Sequence, residues 1–171
     1  MNLSVIFSNL IGFDGIIILW GVLNGFLAYQ LKNQTNLLYE ELNPTVYMPI
    51  DKVLLKVHKD KTIDLHYIRQ LKEKETKLVH LFTSISNIFP LLGILGTIIS
   101  LIRLVTFSGS EIIVNFTTAL TSTFWGLVGA IIFKAIGGVI NSRIETNHEM
   151  ITILFNRMDT FEYEALINKN E

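Results

Sequence analysis

Three long apolar stretches constrain this chain more than any other feature. They run from about Leu10 to Leu31, from about Ile85 to Val105 and from about Ile112 to Ile140. A helix that crosses a bilayer needs about 20 predominantly apolar residues, and each stretch reaches that length. Inside lipid the backbone must satisfy its own hydrogen bonds, so runs of this kind fold as helices. The expected fold is all-α: a polytopic membrane protein with three transmembrane helices, and with long helices extending into the cytoplasm. Composition agrees. Half of the residues are hydrophobic, 17% are charged and the mean hydropathy is +0.44, whereas a soluble domain carries about 25% charged residues. The third stretch is longer than a bilayer requires, so it is expected to tilt or to project into water.

Basic residues orient the spans. Lys32, Lys52, Lys56, Lys59, Lys61, Arg69, Lys72, Lys74 and Lys77 lie between the first and second spans, and Arg143, Arg157 and Lys169 follow the third. The segment before Leu10 and the loop from Thr106 to Glu111 carry no basic residue. Four parts result. Residues 1–31 are an outside N-terminus with the first span, and 32–84 a cytoplasmic helical region. Residues 85–140 are a hairpin of the second and third spans, and 141–171 a cytoplasmic C-terminal helix. The N-terminus has no basic n-region, so a cleaved secretory signal is not expected.

The parts outside the spans read as helices. Leu65, Ile68, Leu71, Leu78 and Leu81 recur at helical spacing, with Lys72-Glu73-Lys74-Glu75 on the solvated side. Pro44 and Pro49 mark a turn region ahead of them. Ile144, Ile151, Leu154, Met158 and Phe161 carry the third helix past the membrane.

Charges within the spans are few. Asp14 and Arg103 fall near the outer ends of their spans, where they either pair with each other or snorkel to the interface. Lys134 falls near the inner end of the third span, and its long stem suits snorkelling. All three read as interfacial charges.

The second and third spans each present a face of small residues. Gly93, Gly96, Thr97 and Ser100 lie at spacings of three and four, and Ala119, Thr123, Gly126 and Ala130 repeat the pattern. Such faces let membrane helices approach closely, and a hydroxyl there can bond back to a carbonyl of its own helix. The competing reading is that Thr97 and Thr123 line a narrow polar path at one depth, which the antiparallel course of the spans permits. No Asp or Glu lies in the body of either span. A proton relay through a bilayer uses a carboxylate or a histidine, so a titrating group at the membrane centre is expected from a partner.

Other chemistry is poorly represented. The net charge of -1 shows no basic face for nucleic acid. The absence of cysteine excludes disulfides, thiolate metal sites and a cysteine nucleophile. His58, His66, His80 and His148 form no metal-ligand pattern. Trp20 and Trp125 fall inside spans, where packing or lipid contact explains them. Gly137-Gly138 suits close helix approach or a hinge. No phosphate loop or nucleophile–base motif is visible, so neither an enzyme nor a cofactor is expected.

Two segments closely resemble motifs of a known family. Pro90-Leu91-Leu92-Gly93-Ile94-Leu95-Gly96-Thr97 resembles the second-span motif of the MotA/TolQ/ExbB proton channel family, nearest its TolQ/ExbB branch. Ala119-Leu120-Thr121-Ser122-Thr123-Phe124-Trp125-Gly126-Leu127 resembles the third-span motif, and the order of spans and segments matches as well. The resemblance implies a pentamer in a bacterial inner membrane around two copies of a single-span partner of the TolR/ExbD/MotB type. Each partner brings an essential Asp. Thr97 and Thr123 would then stand beside that Asp as the ion pathway. Pro90, Gly93, Gly96, Ser100, Ala119, Gly126 and Ala130 would pack the helices and shape the pore. The implied function is the channel-forming subunit of a motor complex driven by the proton motive force. A structural scaffold and a homo-oligomeric pore are the alternatives. Three departures stand out. The region from Lys32 to Ser84 is short for the TolQ/ExbB branch. Lys134 and Gly137-Gly138 replace expected apolar residues. Extra hydroxyls at Ser100, Thr118, Thr121 and Ser122 leave sodium open beside the proton as the carried ion.

Overall fold

A computed structural model describes residues 13–55, 65–106 and 111–168 of the chain. The segment before residue 13, most of the loop between the second and third spans, and His58 lie outside the described residues. Four helices follow in order: α1 Phe13–Val46, α2 Ile50–Leu55, α3 Leu65–Thr106 and α4 Glu111–Asn168. No strand occurs among the described residues. Three of the helices hold stretches long and apolar enough to cross a membrane: Asp14–Val46, Leu65–Ile102 and Asn115–Thr160. The all-α, three-span expectation is met. Each helix also continues well beyond a bilayer's thickness, α4 reaching 58 residues.

The turn after α1 differs from the expectation. Pro44 lies inside α1, not in a turn. A proline removes one backbone donor, and the helix ends two residues later. Thr45 Oγ1 donates to the Glu41 carbonyl nearby at 3.0 Å. The chain turns at Tyr47 and Met48, and the Pro49 carbonyl then receives the amides of Lys52 and Val53 at 3.0 and 3.1 Å as α2 starts. Arg157 of α4 closes the turn. Its guanidinium donates to the carbonyls of Val46 and of Met48, the latter at 3.0 Å. Helix ends leave such carbonyls without intrahelical partners.

The chain divides into two compact units. The first comprises residues 1–29 and 80–138. Its interior holds Phe82, Phe89 and Phe133, with Phe89 stacked on Phe133 at 5.1 Å and Phe82 edge-on to it at 6.3 Å. Large apolar side chains such as Leu91, Ile94, Ile98, Leu120, Phe124 and Ile131 face outward. An apolar exterior of this extent fits lipid or neighbouring subunits.

The second unit comprises residues 30–79 and 139–171. Leu38, Leu42, Val46, Val53, Ile68, Leu71, Met150 and Leu154 form its core. Ile68, Leu71 and Leu154 thus face inward as their spacing predicts, but Leu81, at the start of the first unit, is exposed. Glu75 also departs from expectation. It was placed on the solvated side, yet it is fully buried. Asn147 Nδ2 donates to Glu75 Oε1 at 2.9 Å and to the Thr35 carbonyl at 3.0 Å, and Lys72 Nζ meets Glu75 Oε2 at 2.8 Å. A buried carboxylate is tolerated when both of its oxygens are paired in this way.

Candidate functional site

The two small-residue faces meet. A Cβ added at Gly93 would lie 3.2 Å from the Thr123 Cα, 3.3 Å from the Ser122 carbonyl oxygen and 3.4 Å from the Gly126 Cα. A Cβ at Gly126 would lie 2.8 Å from both the Gly93 Cα and the Phe89 carbonyl oxygen. The backbones of α3 and α4 therefore touch where glycine leaves room. Gly96, Ser100 and Ala119 are buried, while Pro90, inside α3, and Ala130 are half-buried.

That contact brings Thr97 and Thr123 together. Their hydroxyl oxygens stand 3.5 Å apart, at the outer limit of a hydrogen bond. Better acceptors lie closer. Thr97 Oγ1 donates to the Ile94 carbonyl at 2.7 Å, with the Gly93 carbonyl at 3.1 Å. Thr123 Oγ1 has the carbonyls of Ala119 at 3.3 Å and, across the contact, of Gly93 at 3.4 Å. A hydroxyl has one hydrogen and two lone pairs. With its hydrogen on a carbonyl each hydroxyl offers lone pairs, and on rotation it can donate instead.

Asp14 opens the first candidate span, as expected, but its side chain does not reach toward solvent. The residue is only 1% exposed, and Ser122 Oγ lies 2.5 Å from its Oδ1. Its other oxygen, Oδ2, is buried with no hydrogen-bond partner among the described residues. A short side chain at the first turn of α1 has little reach toward solvent, and the small residues of α4 let it dock. The side chain of Arg103 lies outside the described residues, so the Asp14–Arg103 pairing falls there too. Lys134 is exposed.

A family model, the MotA/TolQ/ExbB proton channel family, matches residues 51–152, more than half of the chain. The chain belongs to the MotA/TolQ/ExbB proton channel family. Among curated proteins and among solved structures, nothing matches. Membership makes this a membrane-embedded channel-family protein. The matched residues include the whole of α3 and the glycine contact with α4.

Within this family member, three features of the first unit had no clear sequence signal. Asn24 Nδ2 donates to Ser86 Oγ at 2.8 Å, joining α1 to α3 through two buried polar groups. Ser86 Oγ in turn donates to the Phe82 carbonyl at 2.7 Å. Gly129 makes room for an aromatic ring, since a Cβ there would stand 2.5 Å from Phe89 Cδ1. Only its place three residues after Gly126 hinted at this. Of the Gly137-Gly138 pair, a Cβ at Gly137 would stand 3.1 Å from Phe82 Cε1, whereas one at Gly138 would meet open space. The helix passes through both without a break, so close approach, not a hinge, explains Gly137.

Proposed function

We propose that this chain is the channel-forming subunit of a membrane motor complex driven by an ion gradient. It sits in a bacterial inner membrane with its N-terminus outside and its C-terminus in the cytoplasm. It assembles as a pentamer around two copies of a single-span partner of the TolR/ExbD/MotB type, and it is nearest the TolQ/ExbB branch of its family. It is not an enzyme. The partner supplies the Asp that carries the ion, and the chain supplies the wall along which that Asp works. Protons are the carried ion, with sodium the competing cation.

One observation carries this reading: the facing hydroxyls of Thr97 and Thr123, 3.5 Å apart with backbone carbonyls in reach of each. Acceptor oxygens suit a protonated carboxyl or a bare cation arriving from a partner helix. The chain's own second and third spans hold no carboxylate in their bodies, which fits a wall that serves a titrating group brought from outside.

Native mass spectrometry of the chain, expressed alone and with its genomic neighbour, tests the assembly. A five-fold ring that takes up an Asp-bearing single-span chain supports the proposal. A dimer that ignores every neighbour overturns it. The scaffold reading draws on the glycine contact itself, and substitution separates the two. If Thr97→Val and Thr123→Val leave ion-driven activity intact while Gly126→Leu destroys assembly, the chain only packs helices.

A further inference from the structure

Ser122 Oγ makes two contacts that each require a hydrogen. It lies 2.5 Å from Asp14 Oδ1 and 3.1 Å from the Thr118 carbonyl oxygen. The hydroxyl owns a single hydrogen. Two assignments satisfy the same heavy atoms. With Asp14 ionised, Ser122 donates to Oδ1, and the Thr118 carbonyl still receives the Thr121 hydroxyl at 3.0 Å. With Asp14 protonated, the carboxyl donates to Ser122 Oγ, and the serine hydrogen turns to Thr118. Passage between the two needs a hydroxyl rotation and no movement of the backbone.

We propose that Asp14 and Ser122 form a proton-exchange site belonging to this chain, separate from the Asp of any partner. Uptake forms an O–H bond on the Asp14 carboxyl and breaks one on the donor, a hydronium or a protonated carboxylic acid. The carboxylate charge is neutralised, and release reverses each change. Three observations support the site. The carboxyl is almost wholly buried, and Oδ2 has no partner among the described residues, so no second donor there holds the carboxyl in its ionised form. No Lys, Arg or His pairs with Asp14 among the described residues. Ser122 of α4 faces it, and the side chains of Arg103 and Glu111 lie outside the described residues. Finally, a plain helix clip does not need an acid. The same unit joins α1 to α3 with the neutral pair Asn24 and Ser86. A buried ionisable side chain within a span is costly and marks function more often than packing.

The site deepens the proposed ion path and rests on it only for its place there. Ser122 and Thr123 are consecutive on α4, so the carboxyl and the threonine pair hang on one turn of the same helix. A proton reaching the wall has two stations, one on span one and one at the partner.

Infrared difference spectroscopy of the full chain in lipid nanodiscs, recorded through a pH titration, tests the exchange. The expected result is a carboxylic C=O band that grows on acidification and is absent from Asp14→Asn. In Ser122→Ala the band persists at a shifted frequency, because the carboxyl has lost its acceptor. Identical titration spectra for the native chain and Asp14→Asn would overturn the site. If Asp14→Asn fails to fold, Ser122→Ala decides, and an unshifted band overturns the proposal. Proton flux in the assembled complex tests the place in the path. Loss of most of the flux in Asp14→Asn supports it. Full flux in Asp14→Asn with none in Thr97→Val removes Asp14 from the path and leaves the path standing. Full flux in both removes the path itself, and the spectra still judge the exchange.

Discussion

Gly126 and Gly93 meet backbone to backbone, with 2.8 Å between a Cβ placed on Gly126 and the Gly93 Cα. Neither neighbour can turn aside, because the atoms in the way are main chain. Gly126→Ala should therefore destabilise the first unit by about 1–3 kcal/mol, the usual cost of overpacking. Gly93→Ala should cost less, since its nearest atoms stand at 3.2 to 3.4 Å. Thermal unfolding of the two variants in detergent checks the order, and an equal or reversed loss would contradict this contact.

Thr123→Ser should keep ion-driven activity, and Thr123→Val should abolish it with the ring still assembled. Serine keeps the oxygen and valine keeps only the shape. Activity of the co-expressed complex and its native mass are the paired measurements. Activity that survives in the valine variant would remove the hydroxyl from the mechanism.

Asn147→Leu should lower stability by about 1–3 kcal/mol, because it strips a donor from a buried carboxylate. Glu75 is the group left exposed to that loss, with Asn147 Nδ2 at 2.9 Å from it. A cycle with Glu75→Gln should show coupling of about 0.5–3 kcal/mol, as contacting residues do. Strict additivity would mean that the two side chains do not interact.

Arg157→Lys should loosen the turn at Tyr47 and Met48. The guanidinium spans two carbonyls, those of Val46 and Met48, and an ammonium cannot reproduce the fork. Hydrogen exchange at residues 46–48 should quicken while exchange in the middle of α3 is unchanged. Equal protection in both proteins would show that the fork is dispensable.

The spans were legible because their signal is local: each is a run of apolar residues that only a helix can carry through lipid. The glycine contact was legible for a similar reason, since small residues three and four apart share a helix face. What escaped the sequence depends on distant partners. Glu75 sits in an alternating Lys-Glu run that looks solvated, but its partner Asn147 lies 72 positions away. Asp14 looked like an end-of-span charge, and its partner Ser122 is 108 positions on. Pro44 misled in a simpler way: a proline in the final turn forfeits one hydrogen bond and does not end the helix. Phe89 and Gly129 fit as ring and recess, a match of shapes that spacing alone does not reveal.

The rotatable hydroxyls of Thr97 and Thr123 have a consequence for the carrier's cycle. Each can turn its hydrogen to a carbonyl and present lone pairs, or turn it away and donate. Along the proposed path, a bare cation or a protonated carboxyl would meet the first arrangement, and the carboxylate left behind would meet the second. A hydroxyl that turns in place answers both halves of a cycle with no movement of the backbone.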